Sequence, residues 1–202
     1  MLVIGLTGGI GTGKSTVADV LRQEGAAIVD ADAVGHEVYL VGRPAYHEVV
    51  REFGEDILDD QKAIDRKKLG ARVFGNGKEL AKLNAIVHPR MKGMMRERLQ
   101  ELEKQGKKLA IIEAAILFEA RWDDLAHEVW VTSAPPEVAA QRVAERSKLS
   151  LEQVLERIRS QMSNDDRVKR ADVVIDTSGT MEQTIEIARQ RWNELQARLP
   201  DA

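Results

Sequence analysis

"GLTGGIGTGKST", residues 5–16, decides how the rest of the chain is read. Gly8, Gly13, Lys14 and Ser15 fit the spacing G-x-x-x-x-G-K-[ST]. The apolar run "LVIGL" (2–6) precedes it, and Val17, Val20 and Leu21 follow at helical spacing. Strand, glycine-rich loop and helix in that order form the context a phosphate-binding loop requires. Glycines let backbone N–H groups curl around phosphates without Cβ clashes. The following helix points its positive end at the same place. Gly9, Ile10, Gly11, Thr12, Gly13, Lys14, Ser15 and Thr16 are therefore the expected nucleotide contacts. Lys14 can reach the terminal phosphates, and the Ser15 hydroxyl can ligate Mg²⁺.

Outward from this loop, four further short runs read as buried strands: "AAIVD" (26–30), "LAIIE" (109–113), "EVWVT" (128–132) and "DVVID" (172–176). Runs rich in Val and Ile with no alternation suit a parallel sheet covered on both faces. Strands alternating with helices predict an α/β fold with a parallel five-stranded sheet. Two stretches interrupt the alternation. Residues 33–108 exceed what one crossover helix needs, and "RPAYHEVVREFG", "RKKLGARVF" and "KELAKLNAIVHPRMKGMMRERLQELEKQ" there are expected to be helical. In the last, Leu80, Leu83 and Val87 mark one face, and Met91, Met94, Met95, Leu99 and Leu102 another beyond Pro89. The second interruption spans 135–170, where Ser150 and Gln153 form a capping-box pattern. The expected division is a nucleotide-binding core (1–32, 109–134 and 171–202), an acceptor-binding helical insertion (33–108) and a helical lid (135–170), the layout of a P-loop kinase.

Composition narrows the function classes. A net charge of −3 over 202 residues argues against a general nucleic-acid binder. Without cysteine there is no thiolate metal site or cysteine nucleophile, which suits a cytoplasmic setting. The apolar runs are too short for a membrane span, and "MLVIGLTGG" lacks the basic start of a signal peptide. Oligomeric state is left open.

"VDADAVGHEV" sets Asp30 and Asp32 at the end of the second strand, where ligands of open α/β sheets bind. Alternate residues of an extended chain point the same way, so both carboxylates can face the loop. Such a carboxylate can accept the proton of a reacting hydroxyl or help organise Mg²⁺ through water. It can also simply cap a helix, and Asp32 before Ala33 suits that role. Asp32-Ala33-Val34-Gly35 also matches the D-x-x-G of a GTPase switch. It follows Ser15 too closely for a switch segment, and no N-K-x-D is present.

Taken together, "IGLTGGIGTGKSTVADVL", "VDADAVGHEV", "IDRKKLGARVF" (64–74), "LNAIVHPRM" (83–91), "ILFEA" (116–120), "QRVAERSKLSLEQVLERIRSQM" (141–162) and "ADVVID" (171–176) resemble the dephospho-coenzyme A kinases. The resemblance is ordered and covers nearly the whole chain. It implies transfer of the ATP γ-phosphoryl group to the ribose 3′-hydroxyl of dephospho-coenzyme A, with Mg²⁺, as the last step of coenzyme A synthesis. By motif it implies that Asp32 accepts the hydroxyl proton, that Arg66 and His88 line the acceptor site, and that Arg142 acts on ATP from the lid. Arg142 and Arg146 stand four apart, hence on one helix face, and Arg157 and Gln161 repeat the spacing. A solvated helix face and a phosphate clamp both fit that pattern.

The chain departs from the family in two places. The family commonly has Asp and then Pro-Leu-Leu-Phe-Glu where this chain reads "EAAILFE" from Glu113 to Glu119. An Asn is usual where Thr177 follows "VID". Glu119 is expected to orient a loop or pair with an arginine. The methionines at 91, 94 and 95 read as core filler. Trp122, Trp130 and Trp192 are too scattered for a base-stacking platform.

Overall fold

The strand runs read from the sequence form one sheet. In the computed structural model, which describes residues 1–147 and 149–199, they are β1 (Leu2–Gly8), β2 (Ala27–Asp30), β3 (Leu109–Glu113), β4 (Glu128–Ser133) and β5 (Val173–Asp176). Their order is β2-β3-β1-β4-β5. β1 pairs in parallel with β3 from Leu2↔Leu109 to Leu6↔Glu113, and with β4 from Ile4↔Glu128 to Gly8↔Thr132. β4 and β5 pair in parallel from Trp130↔Val173 to Ser133↔Asp176. Parallel neighbours need crossovers, so every strand is followed by helix or a longer excursion. The central position of β1 puts its carboxyl end, and the loop leaving it, between those of β3 and β4.

Helices α1 (Lys14–Gln23) and α9 (Met181–Gln196) cover one face of the sheet side by side. Val17, Ala18 and Leu21 of α1 and Ala188 and Leu195 of α9 pack with Ile4, Leu6, Ile111, Trp130 and Ile175. Each buried side chain of this size contributes about 1.5–3 kcal/mol relative to exposure, so this cluster anchors the loop's two ends. Trp122 and Trp130 are buried and Trp192 half-buried, so they form no stacking platform.

The described residues divide into two compact units, 1–29 with 99–199, and 30–98. The first contains α1, α6 (Pro136–Arg146), α7 (Leu151–Arg159), α8 (Asn164–Val168) and α9. The capping box at α7 is present, with Ser150 accepting from the Gln153 amide and Gln153 from the Ser150 amide. α7 ends at Arg159, so Gln161 lies in the turn beyond it and does not share a helix face with Arg157.

The second unit contains α2 (Ala31–Glu37), α3 (Pro44–Phe53), α4 (Arg66–Val73) and most of α5 (Gly77–Lys104). Val34, Val38, Val49, Phe53, Leu69 and Met91 are buried in it. α5 runs through Pro89 without ending. Proline removes one N–H donor and crowds the preceding turn, which bends or weakens a helix but can be outweighed by packing. Val87, Met91, Met95 and Leu99 are all buried at intervals of four. They form one continuous face across Pro89, where the sequence suggested two. Met91 and Met95 are core residues, while Met94 is half-buried.

Candidate active site

β1 continues through Thr7 and Gly8, and the chain then turns through five residues into α1. Gly11 and Gly13 adopt φ of 80° and 77°, the left-handed region where a side chain is strained. Gly13 is the N-cap and supplies no side-chain acceptor. The first amides of α1 therefore keep their N–H groups for an anion. Thr12 folds the loop back on itself, its hydroxyl lying 2.8 Å from the Gly9 carbonyl and 2.8 Å from the Thr132 hydroxyl on β4.

Thr177 is fully buried directly beyond β5. Its hydroxyl donates to the Thr12 carbonyl at 2.8 Å and also lies 3.1 Å from the Ser133 carbonyl. One hydroxyl thus joins the phosphate loop to the end of β4. Thr177, a departure in the sequence, thus has a structural role of its own here.

Lys14 points to the end of β3, where its ammonium donates to Glu113 at 2.7 Å. The two side chains are only 13% and 10% exposed, so the pair is largely shielded from water. Arg22 lies 3.8 Å from the other Glu113 oxygen. In the sequence Glu113 stands out only as a departure from the family. The signal was available, because a carboxylate ending an apolar strand run is the same signature that singled out Asp30. Ser15 is exposed at the start of α1, as a metal-ligating hydroxyl must be. Among the described residues no group of three or more His, Asp or Glu is arranged to hold a metal. An exposed hydroxyl is a kind of protein oxygen that Mg²⁺ accepts, since it usually keeps waters and substrate phosphates as its other ligands.

Arg142 and Arg146 share one face of α6. Arg142 donates to the Gly179 carbonyl at 2.6 Å, and Arg146 donates to the Arg142 carbonyl at 3.0 Å. They border a cavity of about 310 Å³ together with Gly11, Gly13, Thr16 and Met181. Arg142 is thus held against the start of α9 beside the phosphate loop, while Arg146 is exposed and bonds within its own helix. Glu119 pairs with Arg167, as expected of a residue that orients a loop.

Asp30 and Asp32 do not lie along one extended chain. β2 stops at Asp30, whose carboxylate accepts from the amides of Asp32 at 2.8 Å and Ala33 at 3.2 Å. Asp30 is therefore the N-cap of α2, and Asp32 is not. Helix begins at Ala31 because those amides find an acceptor in Asp30. Asp32 sits exposed in the first helical turn with its carboxylate left for other work.

Arg66 is the first residue of α4 and is exposed. Asp65 before it caps the helix, and the amides of Lys68 and Lys67 hold its carboxyl below the usual range. His88 is half-buried within α5, and burial pushes its pKa down. Both lie in the second unit.

The family model for dephospho-CoA kinase matches residues 2–183. A dephospho-CoA kinase of Carboxydothermus hydrogenoformans is 44% identical over 94% of this chain and 94% of its own length. One from Moorella thermoacetica is 42% identical over 100% of this chain and 95% of its own. Among solved structures, a Thermus thermophilus protein superposes with a TM-score of 0.81 at 34% identity, covering 99% and 98% of the two chains. A dephospho-CoA kinase from Campylobacter jejuni gives 0.73 at 27% identity, covering 96% of each. Shikimate kinase from Acinetobacter baumannii shares the fold, with a TM-score of 0.52 at 17% identity. With a phosphate loop at its centre and a family match over nearly its whole length, the chain belongs to the dephospho-CoA kinase family.

Proposed function

We propose that the protein transfers the γ-phosphoryl group of ATP to the ribose 3′-hydroxyl of dephospho-coenzyme A, giving coenzyme A and ADP. The observation that carries this reading is the family match over residues 2–183, together with a loop whose first helical amides, Lys14 and Ser15 suit a triphosphate.

Phosphoryl transfer asks for positioning and charge neutralisation more than for covalent chemistry. The hydroxyl oxygen attacks the γ-phosphorus, the bond from that phosphorus to the bridging oxygen breaks, and ADP leaves. Asp32 takes the hydroxyl proton, a role suited to an exposed carboxylate relieved of helix capping by Asp30. Lys14 exchanges its Glu113 partner, or shares it, when phosphates arrive. Arg142 and Arg146 contribute positive charge from the lid, residues 135–170. Arg66 and His88 serve the acceptor from the 33–108 region. Mg²⁺ would neutralise the terminal phosphates, and the Ser15 hydroxyl would help to hold it. The reaction needs only soluble small molecules, so we place the enzyme in the cytoplasm, independent of nucleic acid and membrane. No helix among the described residues is long and apolar enough to cross a membrane.

The test is ADP release from Mg²⁺-ATP with a panel of acceptors: dephospho-coenzyme A, nucleoside monophosphates, shikimate, and water alone. Turnover highest with dephospho-coenzyme A is expected. Faster turnover with a nucleoside monophosphate, or equal release with no acceptor, would overturn the assignment.

A further inference from the structure

Gln161 stands 151 residues from the phosphate loop in sequence, yet its side-chain oxygen accepts from the Ile10 amide at 3.1 Å. Ile10 lies between Gly9 and Gly11, in the span that Thr12 closes through its hydroxyl, 2.8 Å from the Gly9 carbonyl. The nearest backbone bond across it, from the Thr12 amide to the Gly9 carbonyl, is 3.3 Å long. Flanking glycines widen the choice of backbone conformations, so a hold from outside matters most there.

The turn that carries Gln161 is itself fixed. Its amide donates to the Ile158 carbonyl at 3.2 Å, closing a tight turn against the last residues of α7. The next carbonyl, that of Met162, accepts from Arg167. Arg167 is 1% exposed and also pairs with Glu119 in the segment after β3. Asn164, at the start of α8, donates to the Ser133 hydroxyl at 2.8 Å, at the end of β4. The turn is therefore tied to the end of β4 and to the segment that follows β3. A Cβ placed on Gly9 would lie 3.8 Å from both Gln161 Oε1 and the Arg167 guanidinium, so the two side chains stand against the loop backbone.

We propose that Gln161 is a positioning residue for phosphoryl transfer: by holding the Ile10 peptide it fixes the crest of the phosphate loop for the terminal phosphates of the nucleotide. It acts through Ile10 and not on a reacting atom. The proposal rests on the kinase reading for its catalytic consequence but not for its structural one.

Two variants test it. Gln161→Met keeps length and removes the acceptor; Gln161→Glu keeps an acceptor oxygen. Hydrogen exchange at the Ile10 amide and ADP affinity by calorimetry are measured on both, and kinetics on the Met variant. Gln161→Met should lose Ile10 protection, weaken ADP binding and raise the KM for ATP about five- to tenfold, the effect of one lost hydrogen bond. The KM for dephospho-coenzyme A should stay within about twofold, since that hydrogen bond does not touch the acceptor. Gln161→Glu should retain Ile10 protection. Unchanged Ile10 exchange in the Met variant overturns the proposal. So does a lowered melting temperature with unchanged ADP affinity, or a parallel rise in both KM values. If the wild-type protein does not phosphorylate dephospho-coenzyme A, the acceptor assignment fails, while Ile10 exchange and ADP affinity still decide the role of Gln161.

Discussion

Thr177→Val removes one hydroxyl and almost nothing else. The side chain is fully buried, and valine has nearly the same shape, so packing against Gly13 is preserved. The Ser133 carbonyl keeps its bond from the Thr177 amide at 2.8 Å. The Thr12 carbonyl loses the hydroxyl that reaches it at 2.8 Å. Leaving a buried acceptor short of its donor costs about 1–3 kcal/mol. At about 2–4 °C per kcal/mol for a chain of this size, a central cost near 2 kcal/mol lowers the melting temperature by roughly 4–8 °C. Thr12 lies inside the phosphate loop, so part of the effect should appear as weaker ATP binding, with the KM for dephospho-coenzyme A little changed. Thr177→Ser, which keeps the hydroxyl, should recover ATP binding better than valine does. Scanning calorimetry with and without ADP, and initial rates over ATP concentration, measure these quantities. An unchanged melting temperature together with an unchanged KM for ATP would refute the reasoning, since the hydroxyl would then be holding nothing.

Gly11→Ala should nearly abolish nucleotide binding, because its φ of 80° strains any side chain and the new Cβ would lie 2.8 Å from the Ala139 carbonyl carbon. Gly9→Ala should be much milder, with its Cβ only in ordinary contact at 3.7–3.8 Å; equal ADP affinities in the two variants would contradict this. Asp30→Ala should cost about 1 kcal/mol through the lost cap of α2. Asp32→Asn should instead leave melting nearly unchanged and lower turnover roughly 10²- to 10⁴-fold, the range for a positioned proton acceptor; the reverse pattern would exchange the two roles. His88 binds its proton less tightly in the folded protein than in the unfolded chain, where histidine titrates near 6.5. Its contribution to stability is thus present above about pH 6.5 and is lost as pH falls through the lower folded value. His88→Gln should flatten the decline of melting temperature between pH 7 and pH 5, and parallel curves for the two proteins would rule this out.

The sheet was legible because buried parallel strands leave local traces, short runs of Val and Ile. The phosphate loop was legible for the same reason, since Gly8, Gly13, Lys14 and Ser15 carry their meaning within a few residues. The aspartates show where local reading runs out. Alternation along "VDAD" presupposes extended chain through Asp32, and Asp30 ended the strand by capping the next helix. Pro89 suggested a boundary, but the burial of Val87, Met91, Met95 and Leu99 on one stripe outweighs one missing donor. A strand-end carboxylate such as Glu113 is visible locally, but which distant residue it pairs with is not. Lys14 and Glu113 are 99 residues apart, and Thr177 and Thr12 are 165 apart. Parallel crossovers bring such pairs together, and only the fold reveals them.

The position of the transferred phosphate tests the central claim most directly. The protein is incubated with Mg²⁺-ATP and dephospho-coenzyme A, and the product is examined by phosphorus NMR with coupling to the ribose protons. The account predicts a new phosphomonoester coupled to the proton on the 3′ carbon, formed in step with ADP. Phosphate on the 2′ carbon, or ADP formed with dephospho-coenzyme A left unmodified, would contradict it.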